Sequence, residues 1–414
     1  MSATNQCIIE EFLIHSDRRK EGEKPFDLTP FIAAVDYYED IFSPCVTLKV
    51  LVINEAQVVT EDEEDTESTD DKLKALYNAL PIRGGEICRI KIGANVETNI
   101  PLDFSEKAQD YMYVTGITGV TRDAKREMFT LNLTSREAIV NETVRCYKKY
   151  SPDQNIGASV ENILTDTLGI DKDRFSVEMA ANSYGFIGNL KKPFPTIVWL
   201  AKKSVSASTG GGSAGFLFFQ TKTGYKFKSV DSLMRQETYK LTSNSGEKLK
   251  APPFYYGEAT QGFDENDRPV NTDFKILSFS ILQNNDIVKN LKLGTYSSTG
   301  MYFNPYNFEF ETLHYKRKDE IKKDNMSLMG SEDPTRYPLK LDPDNKTGSE
   351  DTIEDTATRS LTGILDIGVL ARKDTNHLKK SNPLKFQMQS VTRYNTLFTN
   401  CLLYTSDAAD EPLC

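Results

Sequence analysis

Residues 211–215 read GGSAG and so satisfy the G-x-S-x-G spacing of a serine nucleophile elbow. That device needs a strand before the serine and a helix after it, so that the hydroxyl is held on a sharp turn. Ser213 instead lies in a Gly- and Ser-rich run ahead of the strand-like FLFFQ, and it is not expected to act as a nucleophile. The same glycines lack the Lys and hydroxyl residue of a phosphate-binding loop. SGEK at 245–248 and KTG at 346–348 have the residue types of penicillin-interacting enzymes, but both fall in polar stretches without a rigid element to hold nucleophile beside base. His15, His314 and His377 are far apart and have no i,i+4 partner, which excludes a local zinc helix.

Carboxylates are plentiful but poorly arranged for chemistry. The run EDEEDTESTDD at 61–71 holds eight acids in eleven positions. Hard cations favour such oxygens, yet the run lacks the fixed alternation and turn glycine of a calcium-binding loop. With no apolar residue to bury, it reads as a mobile insertion. Sixty acids would allow a glycosidase pair, but they concentrate in loops, and no compact lysozyme-like helical pattern surrounds a glutamate. Basic runs at 316–323 and 372–380 are interrupted by acids, and a net charge of −10 is the opposite of a phosphate-neutralising footprint. No catalytic, cofactor-binding or metal-ligating residue is therefore assigned. The chain is expected to be no enzyme, to need no cofactor, and to bind no nucleic acid specifically.

The length of 414 residues implies two to four domains, and 38% apolar with 10% aromatic residues is ample for packed cores. No run approaches the roughly 20 apolar residues of a membrane helix, and the N-terminus lacks a basic start followed by an apolar stretch. Membrane insertion and export by a signal peptide are not expected. Cys401 to Glu411, CLLYTSDAADE, reads as one frame of a sequencing adapter, so natural sequence is expected to stop near Asn400 and 401–414 to be artificial. Without Asp407, Asp410 and Glu411, three acids and no base, the charge moves from −10 to −7. The remaining cysteines, Cys7, Cys45, Cys88 and Cys146, show no CxxC spacing and read as isolated thiols in a reducing compartment.

Apolar alternation predicts six strands in the first domain, residues 1–140: Cys7 to His15, Phe31 to Tyr38, Val46 to Ile53, Glu86 to Ile92, Tyr111 to Val120 and Glu127 to Thr134. Six such antiparallel strands would form a barrel or sandwich. A mixed domain with its linker follows over 141–270. From Arg136 to Asp173 the pattern is helical, with Val160, Ile163, Leu164 and Leu168 on one face and Gly169 as a stop. Phe194, Ile197, Val198, Ala201 and Val205 mark a second buried helical stripe, with Pro195 in its first turn and Lys202 and Lys203 at its C-terminal end.

After a joint from Ser206 to Gly215, Phe216 to Phe219 is apolar on both faces. Tyr225 and Phe227 then alternate with Lys226 and Lys228 beyond a three-residue Lys222-Thr223-Gly224 loop. Leu241 to Pro269 reads as an exposed connection. A third unit combines 271–315 and 384–400. It has a strand at DFKILSFSIL, a short helix or turn at NNDIVKNLKLG and a strand region at MYFNPYNFEFETLHY, around a polar insertion at 316–383.

The segments IGNLKKPFPTIVWLAKKS at 187–204 and GFLFFQTKTGYKFKSVDSL at 215–233 give this layout a further meaning. A Pro-aromatic helix leading into an aromatic hairpin resembles the central region of the baseplate hub subunit of T-even-type contractile-tailed bacteriophages. The likeness spans most of residues 5–400. It implies an α+β, mainly β fold: two tail-tube-like antiparallel β-barrels separated by the mixed domain, the second interrupted by the insertion and truncated at its C-terminus. It also implies a homotrimer that meets the tail tube protein, a central spike or lysozyme protein and other baseplate subunits. Such a protein would reside in the virion tail after assembly in the bacterial cytoplasm. The other readings are a spike-base subunit of a contractile secretion system, a host-surface binding module and, last, a peptidoglycan hydrolase.

Overall fold

The computed structural model describes residues 7–15, 25–54, 82–94, 102–107, 110–122, 126–207, 215–234, 240–242, 248–250, 287–294, 296–304, 308–316, 344, 352–353 and 355–364. Its sheets are mainly antiparallel and its helices few and short. The first unit is an eight-stranded sheet built from β1 (Cys7–His15), β2 (Phe26–Asp27), β3 (Ile32–Tyr38), β4 (Thr47–Asn54), β5 (Ile87–Ala94), β6 (Leu102–Asp103), β7 (Met112–Arg122) and β8 (Glu127–Ser135). The main path runs β2-β1-β5-β7-β8-β4-β3, with β6 beside β5. Alternation forms these strands: Leu48, Val50 and Val52 of β4 and Phe129, Leu131 and Leu133 of β8 are buried on one face, joined by Phe12, Ile14 and Ile90. All six predicted strands are present with ends shifted by at most two residues; β2 and β6, two residues each, are too short to leave a period in the sequence.

The ladder is an open path. β2 and β3 are its ends, and no strand pairing joins them among the described residues. A 3-10 turn at Thr29–Phe31 spans the gap instead. The Leu28 N–H donates to Phe12 O at 2.8 Å, and the Phe12 N–H donates to Thr29 Oγ1 at 2.9 Å, which seals fully buried Leu28 against β1.

The second unit opens with α1 (Arg136–Thr143) directly after β8. The helical stretch from Arg136 to Asp173 is divided into separate helices. Pro152 offers no N–H and disfavours helix at Ser151, and the chain forms β9 (Lys149–Tyr150) before α2 (Ile156–Asn162). Asn155 caps α2, its Oδ1 accepting from the Gly157 N–H at 2.8 Å. The helix widens over 163–167, where the Leu168 N–H reaches Ile163 O five residues back, and stops at Gly169 with φ 67°. Val160, Ile163, Leu164 and Leu168 are all buried, as the spacing predicts.

β10 (Phe175–Val177) and β11 (Phe186–Ile187) precede α3 (Pro193–Ala201). Phe194, Ile197, Ala201 and Val205 are buried, but Val198 is exposed and Leu200 takes its place. At about 100° per residue, Val198 turns away from the centre of the stripe that Pro193, Ile197 and Leu200 share. The helix starts on Pro193, with Pro195 still in its first turn. Lys192 at the N-cap offers no side-chain bond, and the orphan Phe194 N–H is satisfied by Asn141 Oδ1 of α1 at 2.8 Å.

β12 (Phe216–Thr221) and β13 (Gly224–Ser229) pair antiparallel, and β10 adds to β13 in parallel. Phe216 to Phe219 are all buried, and Tyr225 and Phe227 alternate with half-buried Lys226 and Lys228. The turn is tighter than the three-residue loop expected: Thr221 pairs with Gly224, leaving only Lys222 and Thr223 between the strands.

α4 (Val230–Met234) follows, and a short hairpin, β14 (Lys240–Thr242) with β15 (Lys248–Lys250), occupies part of the expected connection. The third unit contains α5 (Ile287–Leu293) and a sheet in which β16 (Ser297–Asn304) pairs antiparallel with β17 (Glu309–Lys316) and parallel with β18 (Arg359–Ile364). β18 comes from the stretch read as a polar insertion, so part of that stretch completes the sheet. The strand expected at 273–282 and the segment 384–400 lie outside the described residues.

Gly224 has φ 108°, and a Cβ there would lie 2.0 Å from Arg174 O. Both constraints demand glycine. Gly224→Ala is expected to cost on the order of 2–4 kcal/mol in denaturant unfolding; an unchanged midpoint would show that the hairpin can move off residue 174.

Candidate functional site

A buried chain of polar contacts joins the first sheet to the second unit. Val46, just ahead of β4, donates its N–H to Gln220 Oε1 at 3.0 Å, and the Ser135 hydroxyl at the end of β8 donates to the same oxygen at 2.8 Å. Gln220 stands directly across the hairpin from Tyr225, whose hydroxyl lies 3.4 Å from Ser135 Oγ and donates to Glu137 Oε2 at 3.2 Å. Glu137, only 1% exposed, has its other oxygen 3.8 Å from the Arg174 guanidinium. Arg174 continues to Asp110 Oδ1 at 2.6 Å, ahead of β7. The chain thus leaves the sheet at β4 and β8, crosses the β12–β13 hairpin and α1, and returns to the sheet at β7.

Each member owes its place to a local rule. Period two along β12 aims Gln220 away from the face of Phe219 and half-buried Thr221, and pairing sets Tyr225 beside it. Ser135 occupies the N-cap of α1 without capping it, its hydroxyl being engaged by Gln220. Glu137 falls in the first turn of α1, where the helix dipole favours an anion. A second tie lies at the hairpin tip: Glu39 Oε1 accepts from the Lys222 N–H at 2.6 Å and from the Tyr37 hydroxyl at 2.7 Å.

Protonation follows from burial. Burial, reinforced by the Glu137 charge, raises the Tyr225 hydroxyl well above its ordinary pKa, so it stays a neutral donor. Burial lowers the Lys222 ammonium, while Asp103, Glu39, Asp110 and Glu106 pull it the other way. Burial also raises the Cys88 and Cys146 thiols, which are therefore protonated and weak nucleophiles; Cys45, Cys88 and Cys146 are all free.

His15 lies on β1, lowered by burial and by Arg89, and His314 lies on β17, sharing a 2.9 Å hydrogen bond with Thr299. The two histidines belong to different sheets. Ser213, His377, the acidic run 61–71 and the KTG segment lie outside the described residues. Among the described residues no three His, Cys, Asp or Glu side chains group as a metal site, and no helix is long and apolar enough to cross a membrane.

The sequence offers little warning of this junction. Its bonded partners stand 37 (174 − 137) to 174 residues apart, beyond any local period. The available signal is Gln220 itself, a polar residue closing the run FLFFQ directly after four buried apolar residues.

No family model and no curated protein matches the chain. Similar solved structures include a tail protein from Neisseria meningitidis MC58, at 8% identity and TM-score 0.39, covering 90% of this chain and 77% of that one. The prophage tail protein gp18 from Listeria monocytogenes EGD-e is similar at 10% identity and TM-score 0.35, covering 91% and 76%. The 43 kDa tail protein of prophage MuSo2 from Shewanella oneidensis reaches 13% identity and TM-score 0.33, covering 56% of each chain. At these values the likeness assigns no role to any residue of this chain.

Arg174→Met leaves the buried Glu137 carboxylate with Arg136, 3.8 Å away, as its remaining cation and is expected to destabilise by up to roughly 3 kcal/mol. Adding Glu137→Gln should recover more than half of that loss in denaturant unfolding, and strictly additive losses would show that the two groups are not coupled. A thiol reagent should leave Cys88 and Cys146 unmodified in native protein and label both in denaturant; fast native labelling would contradict their burial.

Proposed function

We propose that this chain is a structural subunit of a contractile phage tail baseplate, placed at its central hub. The observation that carries the reading is the order of parts: an antiparallel sheet, a short helix, the Pro-aromatic helix with its aromatic hairpin, and a second sheet, with the hairpin bonded back onto the first sheet through Gln220. A part that transmits load between neighbours needs its units fixed to one another. A buried polar network does that with a defined geometry, which apolar contact alone leaves looser.

In this reading each chain contributes two barrel-like units to a homotrimer, and six such units form a pseudo-sixfold ring. One face of the ring meets a sixfold tail tube and the other a threefold spike. The net negative charge, −7 once Asp407, Asp410 and Glu411 are set aside, suits a channel for DNA, because a basic lumen would hold phosphate and stall transit.

Electron microscopy of the purified full chain tests this. Threefold rings with six density lobes are expected. Monomers or dimers enclosing a cleft would overturn the hub assignment, as would a lumen lined with Lys and Arg for the DNA passage.

A further inference from the structure

Among the described residues, two buried side-chain nitrogens have no hydrogen-bond partner: His15 Nε2 and Arg89 Nε. They belong to one place. In the β1–β5 ladder His15 pairs with Ile87 and Leu13 with Arg89, and alternate residues of a strand share a face. His15 and Arg89 are therefore diagonal neighbours on one side of the sheet, roughly 7 Å apart at Cβ. That side is the outer one. The intervening residues Phe12, Ile14, Cys88 and Ile90 fill the core, whereas Leu13, His15, Ile87 and Arg89 are half-buried.

The neighbours fix Arg89 in place without neutralising it. Its guanidinium lies over the Tyr111 ring, 4.9 Å from the centroid, and Arg89 has no ion pair among the described residues. The acids of this face are turned to other groups. Glu11 stands across from Lys91, which is bonded to Glu10 at 2.7 Å. Asp27 stands across from Leu13, on the side of β1 away from Arg89, and its Oδ1 accepts from the Thr29 N–H at 2.9 Å. Asp103, across from Lys91 on β6, accepts from the Ser105 N–H at 2.8 Å. Burial, and then the Arg89 charge, hold His15 below its ordinary pKa, and Glu11 offsets only part of this.

We propose that His15 and Arg89 form a binding site for one oxyanion, a carboxylate or phosphate group, which meets the Arg89 Nε–H and the His15 Nε2 nitrogen together. A water molecule would satisfy a donor but leave a half-buried guanidinium with no counter-charge, whereas an oxyanion does both. Stacking on Tyr111 fixes the guanidinium plane, so its donor fork loses little freedom on binding. With the anion seated, protonation of His15 is favoured where Arg89 alone opposes it. The anion arrives either free from solution or as an Asp or Glu side chain of another copy of this chain.

Magnetic resonance of the His15 ring in the full chain tests this, and with three histidines in the sequence, His15→Gln assigns the signal. Inorganic phosphate is expected to move the signal saturably and to raise the His15 pKa by about one unit, while chloride at equal ionic strength leaves both unchanged. Arg89→Gln should raise the His15 pKa by itself, by removing a like charge, and abolish the phosphate response. Arg89→Lys keeps the charge and the aliphatic stem; it should weaken phosphate binding roughly tenfold or more, and it carries the test if the glutamine variant does not fold. A free anion is the ligand if phosphate gives this response in dilute protein. A carboxylate of another copy is the ligand if the signal moves with protein concentration in the absence of phosphate and Arg89→Gln removes that movement. Equal responses to phosphate and chloride would mean an adventitious ion only, and a signal indifferent to phosphate and to protein concentration would mean that water alone meets the two nitrogens. Either result overturns the site, as does a phosphate response that survives Arg89→Gln.

Discussion

The structure depends on one buried amide. Gln220 Oε1 accepts from the Val46 backbone and from Ser135 at once, and so ties β4 and β8 to a hairpin more than 80 residues further along the chain. A buried amide oxygen deprived of its donors would cost about 1–3 kcal/mol, and the unpaired Val46 N–H a similar amount. The hairpin therefore cannot slide or tilt without breaking several bonds together. The Glu137–Arg174–Asp110 arm adds an ionic version of the same constraint. With Tyr225 held neutral as donor, Glu137 Oε2 is hydrogen-bonded, while Oε1 faces only the Arg136 and Arg174 guanidiniums, each 3.8 Å away.

Around that junction, packing is set by ordinary periodicity. The two cores, one inside the first sheet and one between α2, α3 and the β12–β13 hairpin, each consist of apolar residues at strand or helix spacing. Phe194 shows how they are connected. Its ring packs with Phe218 and Tyr225, while its N–H is bonded to Asn141 of α1. The start of α3 is thus defined by a neighbouring helix and not by its own N-cap, which explains why a lysine stands at that cap.

Much of this was legible in the sequence because it is local. The alternation of Leu48, Val50 and Val52, and the helical spacing of Val160, Ile163, Leu164 and Leu168, need no partner to be recognised. Val198 fails for a related reason: an apolar residue at the margin of a stripe looks like a member until the direction of the neighbouring sheet is known. The junction was not legible, since nothing about Ser135, Glu137 or Arg174 in isolation distinguishes a buried bridge from a solvated turn. The positive φ at Leu190 and Phe308 was equally hidden, because the sequence there shows only apolar residues beside charge. In both places the decisive fact is a long-range contact or a backbone state, and single-residue preference carries neither.

The account's central claim is that the first sheet and the aromatic hairpin unit form one rigid body, and native-state hydrogen exchange tests it most directly. The Val46 amide, bonded to Gln220, and the Phe194 amide, bonded to Asn141, should open only with the core strands β4 and β8 and show their free energy of exchange. Fast exchange at Val46 and Phe194 while the amides of Val50 and Leu131 stay protected would contradict it, and would mean that the hairpin unit swings on the sheet.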